Sequence, residues 1–146
     1  MAVLVDTNVL LRLLQPHHPH ASSMAQNALD VLRGRSEPLT ITFQNLVEFW
    51  VVITRPLADN GLGFTIEKAV EEVGALKRFF VLLPELPLQG EWERLVAIYR
   101  VSGKNAHDAR LAAAMAVHSV NSILTFNTED FARYPGISVL DPRTLS

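Results

Sequence analysis

Five polar residues of this sequence lie at the ends of short apolar segments or just beyond them, and their side chains carry oxygen atoms that bind metal ions. They are Asp6, Glu48, Asp108, Asn127 and Asp130. Carboxylates that lie close together raise one another's pKa and cost stability unless a cation neutralises them. Oxygen ligands without cysteine or histidine favour Mg²⁺ or Mn²⁺ over Zn²⁺. If the fold gathers these side chains, they form a divalent-metal site suited to phosphoryl transfer.

The segments around these residues predict alternating strands and helices. Strands are expected where short runs are apolar or β-branched, at residues 2–5, 39–43, 79–84, 122–126 and 137–140. Of these, 79–84 is expected to be buried and 137–140 to form an edge. Helices are expected where apolar residues recur every three to four positions, at residues 9–14, 21–35, 44–55, 66–78 and 89–101, within 102–120, and briefly at 127–131. This alternation indicates one α/β domain over 1–146, with a parallel sheet covered on both faces.

Ligands of such sheets bind in the crevice beyond the carboxyl ends of the strands, which is where Asp6 lies. Glu48 shares a narrow helical stripe with Gln44, Asn45 and Arg55. A stripe that thin suits a cleft wall, although a solvated helix face is the other explanation.

The later acids also have two interpretations. Asp108 lies on the same helix side as Leu111 and Met115, so it is expected to point inward, but a helix-capping aspartate fits too. Asn127 and Asp130 fit a helix N-cap followed by an acid three residues later. The hypothesis of a metal site therefore depends on all of these positions meeting at one crevice.

Composition narrows the class of protein. The 146 residues include no cysteine, so disulfides and thiolate metal sites are excluded. The formal net charge of -2 argues against a protein that coats nucleic acid by bulk electrostatics, while local basic patches can still hold a phosphate backbone. No apolar run approaches the ~20 residues that cross a bilayer, and no secretory signal is readable, so a cytoplasmic protein is expected. Hydrophobic residues make up 49%, which predicts a well-covered interior or a partner interface.

Four segments in order along the chain resemble the PIN-domain ribonucleases, and among them the VapC-like toxins of prokaryotic toxin–antitoxin pairs. The resemblance lies in "VLVDTNVLLRLL", "LVEFWVVITRP", "HDARLAAAMA" and "ILTFNTEDF". It implies a PIN-like three-layer α/β/α fold with a central, mostly parallel sheet. It also implies a Mg²⁺- or Mn²⁺-dependent endoribonuclease that acts on RNA, is held inactive by a small VapB-like antitoxin, and forms a homodimer.

The resemblance also assigns roles by matching positions. Asp6, Glu48 and Asp108 carry over as metal-site acids, and Thr7 and Asn8 as supporting residues. At the fourth position the family's pattern of an aspartate directly after the strand is broken, because Asn127 stands there and Asp130 is the nearest carboxylate. We take Asp130 as the fourth acid and keep Asn127 beside it as a supporting residue. Asp6, Asp108 and Asp130 then hold the metal directly or through waters, while Glu48 orients or deprotonates the attacking water.

Several cations lie near these positions and are candidates for RNA binding, although each is also explained as a solvated surface charge. They are Arg12, Arg55, Lys104 and Arg110. The "HHPH" segment at 17–20 is interpreted as a polar loop rather than a metal cluster, because it offers no helical ligand spacing. The aromatic residues Phe49, Trp50 and Trp92 are predicted in the core or at a dimer interface.

Two other functions compete with this hypothesis. A phosphohydrolase with Asp6 as nucleophile needs a second acid two residues later, where this chain has Asn8, and a lysine for which Lys104 is the sole weak candidate. A non-catalytic doubly wound binding module, or a degenerate PIN domain, uses its acids only as helix caps. No glycine-rich phosphate loop follows any predicted strand, so a nucleotide-binding module has little support.

Overall fold

A computed structural model describes residues 1–15 and 19–146, and over these residues it has five strands and six α-helices. The strands are β1 Val3–Val5, β2 Leu39–Ile41, β3 Val81–Leu82, β4 Ser122–Leu124 and β5 Ser138–Leu140. The helices are α1 Thr7–Arg12, α2 Pro19–Gly34, α3 Phe43–Thr54, α4 Ile66–Phe79, α5 Gln89–Ile98 and α6 Asn105–Val117. Two short 3₁₀ helices span Leu57–Asp59 and Thr128–Asp130.

The strands form one sheet in the order β3-β2-β1-β4-β5, and every pairing in it is parallel. The first three strands extend the sheet in one direction, and the chain then crosses to the other side of β1 to add β4 and β5. The gap beyond the carboxyl ends of β1 and β4 is therefore the topological switch point, where sheets of this type bind ligands. The fold class predicted from the sequence is confirmed.

Apolar side chains alternate between the two faces of β1, and so each face has its own core. Val3 and Val5 pack with α1 to α4, whereas Leu4 packs with α5 and α6. Both faces are covered by helices, which explains why β1 is apolar along its whole length and why every residue of β1 and β2 is buried. Phe49, which was predicted in the core or at a dimer interface, is 1% exposed and lies in the core.

Several helix starts follow from capping side chains. Thr65 caps α4 by accepting a hydrogen bond from the backbone N–H of Lys68. Thr42 caps α3 with a complete capping box, because Asn45 returns a bond to the Thr42 backbone N–H. The start of α3 is thereby held at the carboxyl end of β2.

The prediction of a buried strand at 79–84 is wrong in extent and in burial. Only Val81–Leu82 pairs with the sheet, and these two side chains are 55% and 37% exposed. Within residues 1–15 and 19–146, β3 is an edge strand with β2 as its single neighbour in the sheet, so no strand covers its other side. Phe79 belongs to α4, and Phe80 supplies the burial expected of the strand, at 4% exposed.

Other boundaries shift by a few residues. α2 begins at Pro19 rather than residue 21, so Pro19 and His20 are helical, while His17 and His18 of the "HHPH" segment lie outside the described residues. The strand predicted at 122–126 ends at Leu124, and the residues after it turn into the crevice. Among the described residues, none of the helices combines the length and apolar character that a membrane crossing requires.

Candidate active site

Asp6 stands at the junction between β1 and α1. Its backbone is extended, and its Oδ1 accepts a 2.8 Å hydrogen bond from the Thr7 N–H, so the residue is the N-cap of α1. The carboxyl is 7% exposed. An aspartate here allows the chain to pass from strand to helix without a loop, and it leaves a carboxylate facing the switch point.

Thr125 orients this carboxylate from the neighbouring strand. Its Oγ1 donates to Asp6 Oδ2 at 2.8 Å and accepts from Asn8 Nδ2 at 3.1 Å and from the Asn127 N–H at 3.0 Å. One donor and two acceptor positions are all that a hydroxyl offers, so its proton is committed to Asp6. The sequence analysis missed Thr125. The sequence feature that could have revealed it is its position directly after β4, which corresponds to the position of Asp6 directly after β1.

Asn8 ties the start of α1 to the segment after β4. Its Nδ2 lies 3.3 Å from Asp6 Oδ2, and its Oδ1 accepts from the Phe126 N–H at 3.1 Å. The amide thus uses both of its ends, one as donor and the other as acceptor. An aspartate at position 8 would supply no donor to Asp6.

A second chain of hydrogen bonds connects the start of α1 to α3. Thr7 Oγ1 donates to Glu48 Oε1 at 2.9 Å and accepts from Asn45 Nδ2 at 3.0 Å. Asn45 Oδ1 in turn accepts from the N–H and the hydroxyl of Thr42 at 2.8 and 2.9 Å. Asn45 is 0% exposed, so this part of the polar stripe on α3 faces the protein interior rather than solvent.

Asp108 lies in the first turns of α6 and is half-buried. Among the residues that the structure describes, no side chain caps α6, so capping does not account for this carboxylate. The pKa of Asp108 is raised to about 7, chiefly by burial and then by the charges of Asp130, Asp6 and Glu48, against a lowering by Arg133. Four carboxylates from separate parts of the chain therefore act on one another.

The pKa of Asp6 is shifted in the same direction. It is raised to about 6: burial is the largest cause, the hydrogen bonds from Thr125 and from the Thr7 N–H lower it, and the charges of Glu48 and Asp130 raise it. Ion pairs within the described residues join Lys68 to Glu72, Arg94 to Glu91 and Arg143 to Asp141, and they involve none of these four acids. The cluster is thus anionic and lacks a paired cation among the described side chains.

The donor set fits a hydrated hard cation. In the described parts of the chain, no three Asp, Glu or His side chains converge closely enough to enclose a metal ion. Mg²⁺ does not need such a cage, because it keeps several waters and binds through one or two carboxylates. The residues suit a water-bridged Mg²⁺ or Mn²⁺, whereas a zinc-type site of close protein ligands does not fit.

The two residues of the fourth position, Asp130 and Asn127, differ in burial and in the groups they act on. Asp130 ends the 3₁₀ helix Thr128–Asp130, is half-buried, and raises the pKa of both Asp6 and Asp108. Asn127 is exposed, and its backbone N–H, rather than its side chain, bonds to Thr125. The 3₁₀ helix has no side-chain cap, so an N-cap role does not explain Asn127.

The cations proposed for RNA binding differ in where they lie. Arg12 bonds to Gln15 and sits 6.0 Å from the centre of the Phe126 ring. Arg55 follows the last turn of α3 and bonds to the Asn60 carbonyl, away from the strand ends.

The other two cations lie on or beside α6, the helix that carries Asp108. Lys104, just before α6, and Arg110, within it, are both exposed. Arg133, which the sequence analysis missed, is the cation whose charge lowers the pKa of Asp108.

Comparison with known proteins identifies a family and a fold. A family model described as "PIN domain" matches residues 3–137. No curated protein matches this sequence significantly. Among solved structures, VapBC2 from Rickettsia felis bound to a promoter DNA fragment has a TM-score of 0.72 at 14% identity, covering 97% of this chain and 98% of that chain.

Two further solved structures are similar over almost their full length. FitAcB from Neisseria gonorrhoeae has a TM-score of 0.69 at 19% identity, covering 98% of this chain and 99% of that chain. A toxin-antitoxin complex from Klebsiella pneumoniae has a TM-score of 0.63 at 22% identity, with 97% and 98% covered. At these identities the likeness establishes a shared fold.

Proposed function

The chain belongs to the PIN-domain family, and from this premise we propose that it is a Mg²⁺- or Mn²⁺-dependent endoribonuclease and the toxin of a toxin–antitoxin pair. One observation carries the proposal. Asp6, Glu48, Asp108 and Asp130 lie near enough for their charges to act on one another, and these charges raise the pKa of Asp6 and Asp108. Such repulsion is costly unless a cation and its phosphate ligand complete the site.

Asp6, Asp108 and Asp130 are the residues that would hold the metal, directly or through waters. When bound, a divalent metal lowers the pKa of its water and polarises the scissile phosphate. Thr125 and Asn8 fix the orientation of the Asp6 carboxylate by donating to Oδ2, and the Thr7 N–H fixes Oδ1. These bonds orient the Asp6 carboxylate before substrate arrives, which supports the proposal because electrostatic catalysis requires preorganised groups.

Glu48 is proposed to orient or deprotonate the attacking water. Its Oε1 is bound by the Thr7 hydroxyl, which is itself held by Asn45. With Oε1 engaged, Oε2 is the atom that would accept the proton of a water. The chain from Asn45 through Thr7 to Glu48 is thus a positioning device for a general base.

The test is RNA cleavage by the purified protein, free of any inhibitor, on a panel of tRNA and rRNA with Mg²⁺ or EDTA. Asp6→Asn and Asp108→Asn are expected to lose at least about 100-fold in rate, a typical cost of removing a preorganised electrostatic group. Asp59→Asn, an exposed aspartate in the 3₁₀ helix Leu57–Asp59, is the matched control. Cleavage at the wild-type rate in either site variant, with the fold intact by circular dichroism, would refute the mechanism.

The competing functions are less well supported. Asn8 uses its amide to donate to Asp6, so it does not replace the second acid that an aspartyl-nucleophile phosphohydrolase requires. A binding module whose acids merely cap helices explains Asp6 but neither Asp108 nor Asn127, as neither side chain makes a capping bond.

A small VapB-like antitoxin is the proposed partner, and a homodimer the proposed assembly. The likeness to a toxin-antitoxin complex from Klebsiella pneumoniae supports the proposal of an antitoxin partner. Exposed apolar side chains at Phe79, Val81, Leu82 and Leu86 are available to such a partner. A toxin that cuts cellular RNA acts in the cytoplasm, which is where we place this protein. Arg12, Arg55, Lys104 and Arg110 stay predictions for RNA binding.

A further inference from the structure

We propose that a cavity at the amino ends of β4 and β5 binds a small, neutral, aromatic ligand that carries one hydrogen-bonding group. The cavity has a volume of about 220 Å³, and its walls come from α5, α6 and the turn before β5. The proposal goes beyond the nuclease function above and does not depend on it.

The cavity lies at the opposite end of the sheet from the acidic cluster. Its lining includes Val120, just before β4, and Ile137, just before β5. Asp6 instead follows the carboxyl end of β1, and all of these strands run parallel. A ligand in the cavity therefore does not compete with a metal ion at the acidic cluster.

Tyr134 brings an unpaired polar group to this cavity. The residue lines the cavity and is 4% exposed, and its buried hydroxyl has no hydrogen-bond partner among the described residues. A buried hydroxyl without a partner is destabilising. Burial also raises the pKa of Tyr134, so the hydroxyl keeps its proton at neutral pH and is able both to donate and to accept. A ligand in the cavity is placed to supply the missing hydrogen bond.

A tight turn and a neighbouring ring hold Tyr134 in place. The Ile137 N–H donates to the Tyr134 carbonyl at 3.3 Å, with Pro135 and Gly136 between them. The φ of Gly136 is 90°, which together with the preceding proline is typical of a type II turn. Tyr99 packs edge-on against the Tyr134 ring, with 5.5 Å between the ring centroids. The ring is thus fixed before a ligand arrives, which lowers the entropic cost of binding.

The other side chains of the cavity favour a neutral aromatic ring. Leu95 and Met115 are buried and apolar, and a thioether such as that of Met115 makes favourable contacts with aromatic rings. Glu91 and Arg94 also line the cavity, but they pair with each other at 2.6 Å and so neutralise each other. A cavity of about 150 Å³ is enough for one benzene ring, so this larger cavity suits a ligand of two fused rings.

The experiment titrates the metal-free protein with indole in EDTA by isothermal calorimetry. Indole has two fused rings and one N–H, and indene has the same shape without that N–H. Both probes are expected to bind with a Kd on the order of 0.1–1 mM, which is within the affinity that so few atoms permit.

The first variant tests the hydroxyl. Tyr134→Phe should weaken indole binding by about threefold to tenfold, the effect of one hydrogen bond, and leave indene binding unchanged. It should not lower the Tm of the ligand-free protein, because the hydroxyl has no partner among the described residues to lose.

A second pair of variants tests the location. Ala116 is exposed on α6 and lines the cavity, so Ala116→Leu should obstruct it and abolish binding of both probes. Ala97→Leu makes the same change at an exposed position of α5 that does not line the cavity, and it should leave binding unchanged. Circular dichroism verifies the fold of every variant.

Three outcomes overturn the proposal: no binding of either probe to the wild type, unchanged indole affinity in Tyr134→Phe, or unchanged binding in Ala116→Leu. The titrations need neither metal nor RNA, so they are independent of the cleavage test. A wild type that binds indole as described but cuts no RNA refutes the nuclease function alone. A wild type that cuts RNA but binds neither probe refutes the cavity alone.

Discussion

Thr125 Oγ1 donates a 2.8 Å hydrogen bond to Asp6 Oδ2 between residues that are 119 positions apart in the chain. The parallel register explains the contact, because Val5 pairs with Leu124 and the next residue of each strand then enters the same crevice. The bond lowers the pKa of Asp6 against the upward effect of burial. It is therefore part of what keeps this buried carboxyl ionised and able to hold a metal.

Replacing Thr125 by valine tests that bond. Thr125→Val removes the donor to Asp6 and the acceptor of Asn8 Nδ2, so the pKa of Asp6 should rise further above about 6. The acid limb of the pH–rate profile should then move to higher pH, with activity partly restored at alkaline pH. Because buried groups then lack a hydrogen-bond partner, the free energy of unfolding should also fall by ~1–3 kcal/mol.

Thr54→Val is the control, because its hydroxyl bonds to the Trp50 carbonyl within α3 and lies away from the acids. A Thr125→Val profile that overlays the wild type would show that the hydroxyl does not influence Asp6 in solution.

Two variants separate the residues of the fourth position. Asp130→Asn removes a charge that acts on both Asp6 and Asp108, so cleavage and the stabilisation by Mg²⁺ should fall strongly. Asn127→Ala keeps the backbone N–H that bonds to Thr125, so its rate should stay within about threefold of the wild type, a change of less than 1 kcal/mol in the barrier. Single-turnover cleavage measures both. The reverse ranking would make Asn127 the functional residue.

The metal-free protein should lose stability as pH rises from about 4 to about 7. The pKa of Asp6 is about 6 and that of Asp108 about 7 in the folded state, against 3.8 for an ordinary aspartate, so the folded state binds more protons in this interval. The stabilising contribution is thus complete below the unfolded value and lost as pH passes the folded values. Thermal unfolding in EDTA across this interval measures it, and Asp6→Asn with Asp108→Asn should flatten the profile.

Mg²⁺ should reverse that loss at pH 8. A ligand that binds only the folded state stabilises it by about 2.7 kcal/mol at 100 times its Kd. The rise in Tm should be absent in Asp6→Asn, and Mg²⁺-free buffer with EDTA gives the baseline. An unchanged Tm in the wild type at millimolar Mg²⁺ would favour a non-catalytic binding module.

Asn45→Ala should impair Glu48 as the general base and leave metal binding unchanged. The variant leaves the Thr42 N–H without its acceptor and Thr7 without the donor that holds it, so unfolding should become easier by ~2–4 kcal/mol. Its rate should fall while Mg²⁺ still raises Tm, because Asp6 and Asp108 are unchanged. Asn121→Ala, an exposed asparagine, is the control for the substitution itself. Full cleavage activity in folded Asn45→Ala would show that Thr7 and Glu48 do not need this support.

The sequence by itself determined the layered α/β fold and the places of the acids along it. Asp6 is visible at the end of an apolar run, and Asp108 on the apolar side of a helix, because burial leaves a periodic pattern in the sequence. The four segments that resemble PIN-domain ribonucleases also identified the family correctly. Local patterns suffice for these features because each depends on neighbours within a few residues.

Tertiary structure alone decided which polar groups meet. Thr125 fits an ordinary strand residue until the register places it against Asp6, and Asn45 fits a cleft wall or a solvated helix face until its hydrogen bond to Thr7 of α1 places it in the interior. The exposure of β3 likewise follows from its place at the sheet edge, which its apolar composition does not reveal. Hydrogen bonds and electrostatic shifts depend on distances between strands far apart in the chain, and such distances exist only once the sheet has formed.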